Sequence, residues 1–330
     1  MRDKKGGIQF SFAWIFAIIA GVVILGLAIY FVTQFSEKSK LEINVKNAVS
    51  IGVLTNPVES SFESAKRYTI TTKAETRIYT ECNSQETVTS SFGKQIIRTA
   101  EKTYNQWSED QMTDMEFQNK YIFSKDRVEG KIFYVFSKPF KMPFKIADLI
   151  YLTSARDLYC FVNPPDDIED EIEDLIGDEE TRSESQNFYL TNRKRECPQE
   201  STSICFKRTD SGCDVYVSDN YVQKSSGRMY YEGDALMYAA IFSDKEEYEC
   251  QVKRLMNRAK KLFEIYQDKS EFVFKKTRCN SGTDIELMQM ISLLGGYQSS
   301  QDLEIINVLA QDIQDKQDNQ YRNTEECRLW

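Results

Sequence analysis

The chain has 330 residues, with 42 basic and 51 acidic side chains, a formal charge of −9 and no histidine. The missing imidazole excludes Ser-His-Asp and Cys-His catalysis, HExxH zinc hydrolysis and any His-bearing metal site. The acidic balance lacks the basic footprint that nucleic-acid binding requires. Charge is also unevenly placed: Gly6 to Ser36, 31 residues, contains none. The apolar centre of that run, Phe10 to Val32, exceeds the roughly 20 helical residues that cross a bilayer core. It is too long for a cleaved secretory signal and has no A-x-A site after it, so a retained transmembrane helix is expected over 8–36. Ala13, Ala17 and Gly21 are spaced four apart, a small-residue face that lets membrane helices associate.

The junction Lys4-Lys5-Gly6-Gly7-Ile8-Gln9-Phe10-Ser11 resembles the class III signal segment of archaeal type IV pilin-like proteins. That resemblance implies cleavage after Gly6 or Gly7 and a hydrophobic helix kept as anchor or assembly core. The chain departs from the pilin pattern in its second glycine and in having no acid from 8 to 36.

Three basic and one acidic residue precede Gly6, so the part after Ser36 carries 39 against 50, a net of −11. Arg2, Lys4 and Lys5 before the span balance Lys38, Lys40 and Lys46 after it, so basic residues alone do not orient the anchor. The cysteines do. Cys82, Cys160, Cys197, Cys205, Cys213, Cys250, Cys279 and Cys327 are even in number and all follow the span. Such a set behind an anchor predicts disulfides in an oxidising exterior. The expected topology is single-pass in the cell membrane, with 1–7 cytoplasmic and the C-terminal part extracellular. Eight cysteines allow 105 pairings. At least one bridge among Cys197, Cys205 and Cys213 is expected around a predicted hairpin, and a Cys250–Cys327 tie would hold the last helices.

After the anchor, 37–57 reads as a helical stalk, with Leu41, Val45, Ala48 and Val53 near one face, until Asn56-Pro57 interrupts it. β-Branched and aromatic residues then predict strands at Arg67–Thr80, Gln95–Thr99, Glu116–Phe123 and Lys131–Phe136. They form a largely antiparallel β-rich domain over 58–145, ended by Pro139 and Pro143. The mixed α/β remainder, 146–330, opens with a strand at Leu158–Val162. A helix at Asp166–Ile176 follows, its apolar stripe Ile168, Ile172, Leu175 and Ile176 opposite a row of acids. No D-x-D-x-D-G loop accompanies those acids, so they read as a solvated face rather than a calcium site. Short strands follow at Phe188–Leu190, Ser203–Lys207 and Cys213–Val217.

Ser243-Asp244-Lys245-Glu246 has the form of a capping box. Tyr248, Val252, Leu255, Ala259, Leu262 and Tyr266 continue as a seam that packs inside the domain. Glu271–Phe274 is expected to be a strand, and helices are expected at Asp284–Leu294 and Gln301–Asn319, the latter capped by Ser300. The predicted fold class is therefore α+β: transmembrane helix, stalk, antiparallel part, then a mixed part with C-terminal helices. Val135-Phe136-Ser137-Lys138-Pro139-Phe140, Tyr159-Cys160-Phe161-Val162-Asn163-Pro164, Ala240-Ile241-Phe242-Ser243 and the ending Cys327-Arg328-Leu329-Trp330 resemble a group of uncharacterised membrane-anchored archaeal proteins. No activity is implied by that resemblance.

One enzyme pattern needs no histidine. Ser91-Phe92-Gly93-Lys94 and Ser218-Asp219-Asn220 match two of three penicillin-binding-protein motifs, while Lys276-Thr277-Arg278 breaks the third. A strand after Ser91 would also point the serine and lysine to opposite faces. No catalytic, cofactor-binding or metal-ligating residue is therefore assigned, and no cofactor is expected. The leading expectation is a non-enzymatic cell-surface protein for assembly or partner binding, held in the lipid bilayer, with a protein partner or self-association and no nucleic acid. The alternatives are a tethered solute- or glycan-binding module with its site between the two halves, and a carboxylate- or Ser/Lys-dependent hydrolase.

Overall fold

The computed structural model describes residues 14, 16–34, 67–85, 91–103, 105–176, 187–206, 212–323 and 329–330. The Gly6-Gly7 junction, Ala13, the stalk at 37–57 and Cys327 lie outside the described residues. The fold is α+β, as the residue patterns indicate. Its first element, α1 (Phe16–Gln34), is long and apolar enough to cross a membrane and has no side chain buried in the protein.

Seven strands form the first sheet: β1 (Tyr68–Asn83), β2 (Lys94–Thr103), β3 (Gln106–Trp107), β4 (Met115–Phe117), β5 (Ile122–Phe123), β6 (Arg127–Lys141) and β7 (Lys145–Ser154). The order is β3-β2-β1-β6-β7-β5, with β4 also on β2, and only β5–β7 is parallel. The stretch expected as one strand over Glu116–Phe123 is thus two short strands on different neighbours. Gly93, at φ 69°, leads into β2, and a Cβ there would lie 2.1 Å from the Asn83 carbonyl oxygen. Only glycine fits that position. Pro139 does not end the sheet; it pairs with Asp148 inside β6–β7. The reason is register. Tyr68↔Val135 is the last β1–β6 pair, so beyond it, among the described residues, β6 has a strand neighbour on one side only and a missing N–H is tolerated.

The second sheet has β8 (Tyr159–Val162), β9 (Phe188–Thr191), β10 (Thr202–Phe206), β11 (Val215–Val217), β12 (Tyr221–Lys224) and β13 (Gly227–Tyr230), ordered β13-β12-β11-β10-β8-β9. The expected hairpin at Cys205–Cys213 is a parallel pair instead, with Ile204 opposite Val215. The return is fixed beside the start of β10, where the Asp214 carboxylate accepts from the Ser203 N–H (2.8 Å) and hydroxyl (2.6 Å). Helix α2 (Asp166–Ile176) connects β8 to β9 and buries Ile168, Ile172, Leu175 and Ile176.

Between the sheets lies a helix the sequence pattern does not reveal, α3 (Gly233–Phe242), with every side chain from Ala235 to Phe242 buried. Its last ring, Phe242, sits 5.5 Å from Phe136 in the first sheet and 5.0 Å from Tyr159 and 5.6 Å from Phe188 in the second. One continuous core therefore runs across both sheets. Ser243 belongs to α3, not to the following helix. It is the C-cap residue, its hydroxyl donates to the Ala239 carbonyl at 2.6 Å, and it is wholly buried. The β12 side chain Lys224 supplies the cation that this helix end favours, donating to the carbonyls of Ile241 (2.8 Å) and Ser243 (2.7 Å). Burial pushes its ammonium down to about 8.

Helix α4 (Lys245–Thr277) then runs 33 residues, about 50 Å. Asp244, rather than Ser243, occupies its N-cap position. Tyr248, Val252, Leu255 and Ala259 are buried along the seam, and Leu262 and Tyr266 pack at its edge. The segment expected as a strand at Glu271–Phe274 is the last part of this helix. Its β-branched and aromatic composition is overridden by continuation of the preceding turns. Helix α5 (Asp284–Gly295) folds back on α4, and α6 (Leu303–Asn323) follows a short 3-10 turn at Ser300–Asp302. Ser300 is not the cap of α6. It is buried within that turn, bonded to the Glu249 carboxylate, while Asp302 accepts from the Ser299 N–H at 3.2 Å.

Candidate interaction surface

The residues that could have formed a Ser/Lys site do not converge. Ser91 is exposed in the turn before β2, and Lys94 pairs with Glu116 across β2 and β4. Ser218 to Asn220 is the β11–β12 turn of the other sheet; its Ser218 and Asn220 carbonyls accept from the Tyr231 hydroxyl (2.6 Å) and N–H (3.0 Å). Of the acidic face of α2, Glu171 is used structurally. It pairs with Lys138 of β6 and accepts from the Tyr238 hydroxyl at 2.9 Å, joining α2, β6 and α3. Among the described residues no group of side chains is arranged to hold a metal ion.

Every described cysteine is oxidised. Cys205–Cys213 is the short bridge expected, and Cys160–Cys197 ties β8 to the segment before β10. Cys250 is bonded to Cys82, at a sequence separation of 168, and not to Cys327. The α4 seam places Cys250 over the end of β1, so that bond joins the first sheet to α4. Cys279 is also disulfide-bonded, to a residue outside the described ones. Of the small residues on the membrane helix, Ala17 and Gly21 lie within α1, and no atom comes within 4 Å of a Cβ placed on Gly21.

Beside the Cys82–Cys250 bond, α4 turns polar side chains into the protein. Arg254 is fully buried and donates to the carbonyls of Phe92 (3.2 Å), Gln118 (2.9 Å) and Lys120 (2.8 Å) and to the Gln251 side chain (2.7 Å). Its guanidinium also lies 4.7 Å from the Tyr121 ring centre. Gln251 in turn bonds to Gln95 on β2 and to Glu247 at 2.7 Å. One arginine thus bonds to backbone at three places flanking strands β2, β4 and β5. Desolvation drives the Glu247 carboxyl up to about 7, against the opposing pull of the Gln251 and Gln95 hydrogen bonds and the Arg254 charge. Glu247, Gln251 and Arg254 are bonded to one another and buried from solvent, so the cluster clamps α4 to the first sheet.

The far part of the helical layer is built the opposite way. Among the described residues that follow α1, the large apolar side chains left exposed are Ile265, Phe272 and Phe274 on α4, Ile285 and Met288 on α5, and Ile305 and Val308 on α6. Each of these helices already buries an apolar stripe, such as Leu287, Met290 and Leu294 on α5 and Leu303, Ile306, Ala310 and Ile313 on α6. The exposed residues lie beside those stripes, so packing within the protein does not account for them. Their signal was present in the sequence: Ile265 and Phe272 fall outside the seam spacing of α4. No protein-family model, curated protein or solved structure matches the chain.

Proposed function

We propose that the chain is a membrane-anchored, non-enzymatic surface protein that binds a protein partner, or a second copy of itself, through its C-terminal helices. The observation that carries this reading is the confinement of exposed large apolar side chains, among the described residues that follow α1, to α4, α5 and α6. Both sheets bury theirs. Apolar residues gathered on one layer of a charged protein mark contact surfaces. The anchor supports a fixed place at the bilayer, and the disulfides support an oxidising exterior for the folded part, with the N-terminus cytoplasmic. The basic-glycine junction before the anchor supports a pilin-like mode of assembly. The space between the two sheets, where a solute site would be sought, is occupied by α3.

A photo-crosslinking residue placed at Val308 in the full chain, in its native membranes, tests this. It should give an adduct of one defined mass, and the same residue at exposed Asp167 on α2 should not. Absence of an adduct at Val308, or equal labelling at Asp167, would reject the surface.

A further inference from the structure

We infer that the turn joining α4 to α5 docks on the surface of the bilayer that anchors the chain, through an aromatic and basic tip selective for anionic lipid. Ser270 is the last α4 side chain buried against α5, where its hydroxyl meets Ser281 (2.7 Å) and Asp284 (2.5 Å). Beyond it, Glu271, Phe272, Phe274, Lys275, Lys276, Thr277 and Arg278 are all exposed. Phe272 is 61% and Phe274 45% exposed. Three cations stand against one acid over 271–278, in a chain whose overall charge is −9. Lys275 pairs with Glu271 at 3.1 Å, whereas Lys276 and Arg278 have no ion-pair partner among the described residues. The Lys276 ammonium lies 5.9 Å from the Phe272 ring centre.

A helix dipole accounts for cations in a last turn. It does not account for two phenylalanines exposed among them. Aromatic rings that enter the acyl boundary, beside ammonium and guanidinium groups that reach phosphate, are what an interfacial contact requires. The disulfide at Cys279 follows directly and holds the turn in shape, which lowers the ordering cost of contact. Thirty-two residues, 35–66, lie between α1 and Arg67; with 37–57 as the expected helical stalk, a chain of that length spans up to about 70 Å. The tether keeps the tip at high local concentration over its own membrane, so a weak contact is enough. The acidic remainder of the chain is repelled by an anionic surface, which leaves the tip as the side that approaches.

The test uses the full chain in nanodiscs that hold one copy each. Phe272→Trp adds an indole at an exposed position, read against the native tryptophans of the unsubstituted chain. With lipids brominated in the acyl chains and a substantial anionic fraction, the added emission should be quenched. Quenching should be lost in purely zwitterionic discs, and in anionic discs when Lys276→Glu and Arg278→Glu are added. An indole at Ile265, on the shaft of α4, should stay unquenched throughout. No quenching of Phe272→Trp above the unsubstituted chain in anionic discs would overturn the proposal, as would equal quenching at Ile265. Protection that appears only in discs holding two copies would assign the tip to a second copy and also overturn it.

Discussion

The two ends of α4 break the usual rule of burial in opposite senses. Near its start, Glu247, Gln251 and Arg254 are inside; further along, Ile265, Phe272 and Phe274 are outside. The first departure is explained within the molecule. The backbone flanking strands β2, β4 and β5 turns the Phe92, Gln118 and Lys120 carbonyls toward α4, and a buried guanidinium with several fixed donors bonds to all three. The second has no internal account, because α5 and α6 already bury their own stripes. Buried polarity with every group partnered is structure; exposed apolarity with no internal partner is the mark of something outside the chain. The helix therefore divides into a clamp and a presenting surface.

That division is sharpened first by removing what pins the clamp. Replacing Cys82 and Cys250 by serine releases a tie whose 168-residue separation is worth about 5 kcal/mol on the loop-entropy scale, against about 2.5 kcal/mol for the eight-residue Cys205–Cys213 bridge. Chemical denaturation of the two double variants should rank them in that order. Next, Arg254→Met should cost about 3–5 kcal/mol, since it removes a fully buried guanidinium that donates to the buried Lys120 carbonyl, the part-buried Phe92 and Gln118 carbonyls and the Gln251 side chain. A loss below about 1 kcal/mol by the same measurement would show that water replaces the guanidinium and that the clamp reading is wrong.

The third expectation concerns pH. Glu247 is held at about 7 in the folded chain, mainly by desolvation, and returns to an ordinary carboxyl value near 4.5 on unfolding. Between those values the folded state binds the extra proton, so stability falls as pH rises through the window from 4.5 to 7. The full contribution is about 3 kcal/mol. Glu247→Gln should remove that slope and leave the variant more stable than the unsubstituted chain at pH 8, as seen in the difference between their denaturation midpoints. The smallest effect on stability belongs to the presenting surface. Ile305→Ser with Val308→Ser should change it by no more than about 0.5 kcal/mol, because both side chains are already in water.

The sequence reveals regular elements and hides the exceptions, for physical reasons that differ from place to place. Asp166–Ile176 is legible because its apolar stripe, acidic start and flanking prolines all agree. The α4 seam is legible by its spacing. Helix α3 is not, since a helix buried on every side has no periodicity to detect, and Ser243-Asp244-Lys245-Glu246 imitates a start while Ser243 ends the helix before it. The parallel β10–β11 pair is hidden because the Cys205–Cys213 disulfide and the Asp214 carboxylate, which no local pattern announces, hold β11 in register beside β10. Lys224 and Arg254 escape notice because charged residues are read as exposed, and only the fold shows the carbonyls they serve. The presenting residues were visible as apolar positions off the seam, but only the packed structure separates them from core.

The most direct test of the division within the helical layer is the size of the complex released from native membranes by gentle detergent, measured together with thermal unfolding. The account predicts that the unsubstituted chain migrates as a larger assembly. Ile305→Ser with Val308→Ser should reduce it to the single chain, while the two chains unfold at the same temperature under conditions that keep both single. An assembly of unchanged size in the variant, or an unsubstituted chain that is itself single, would contradict the account.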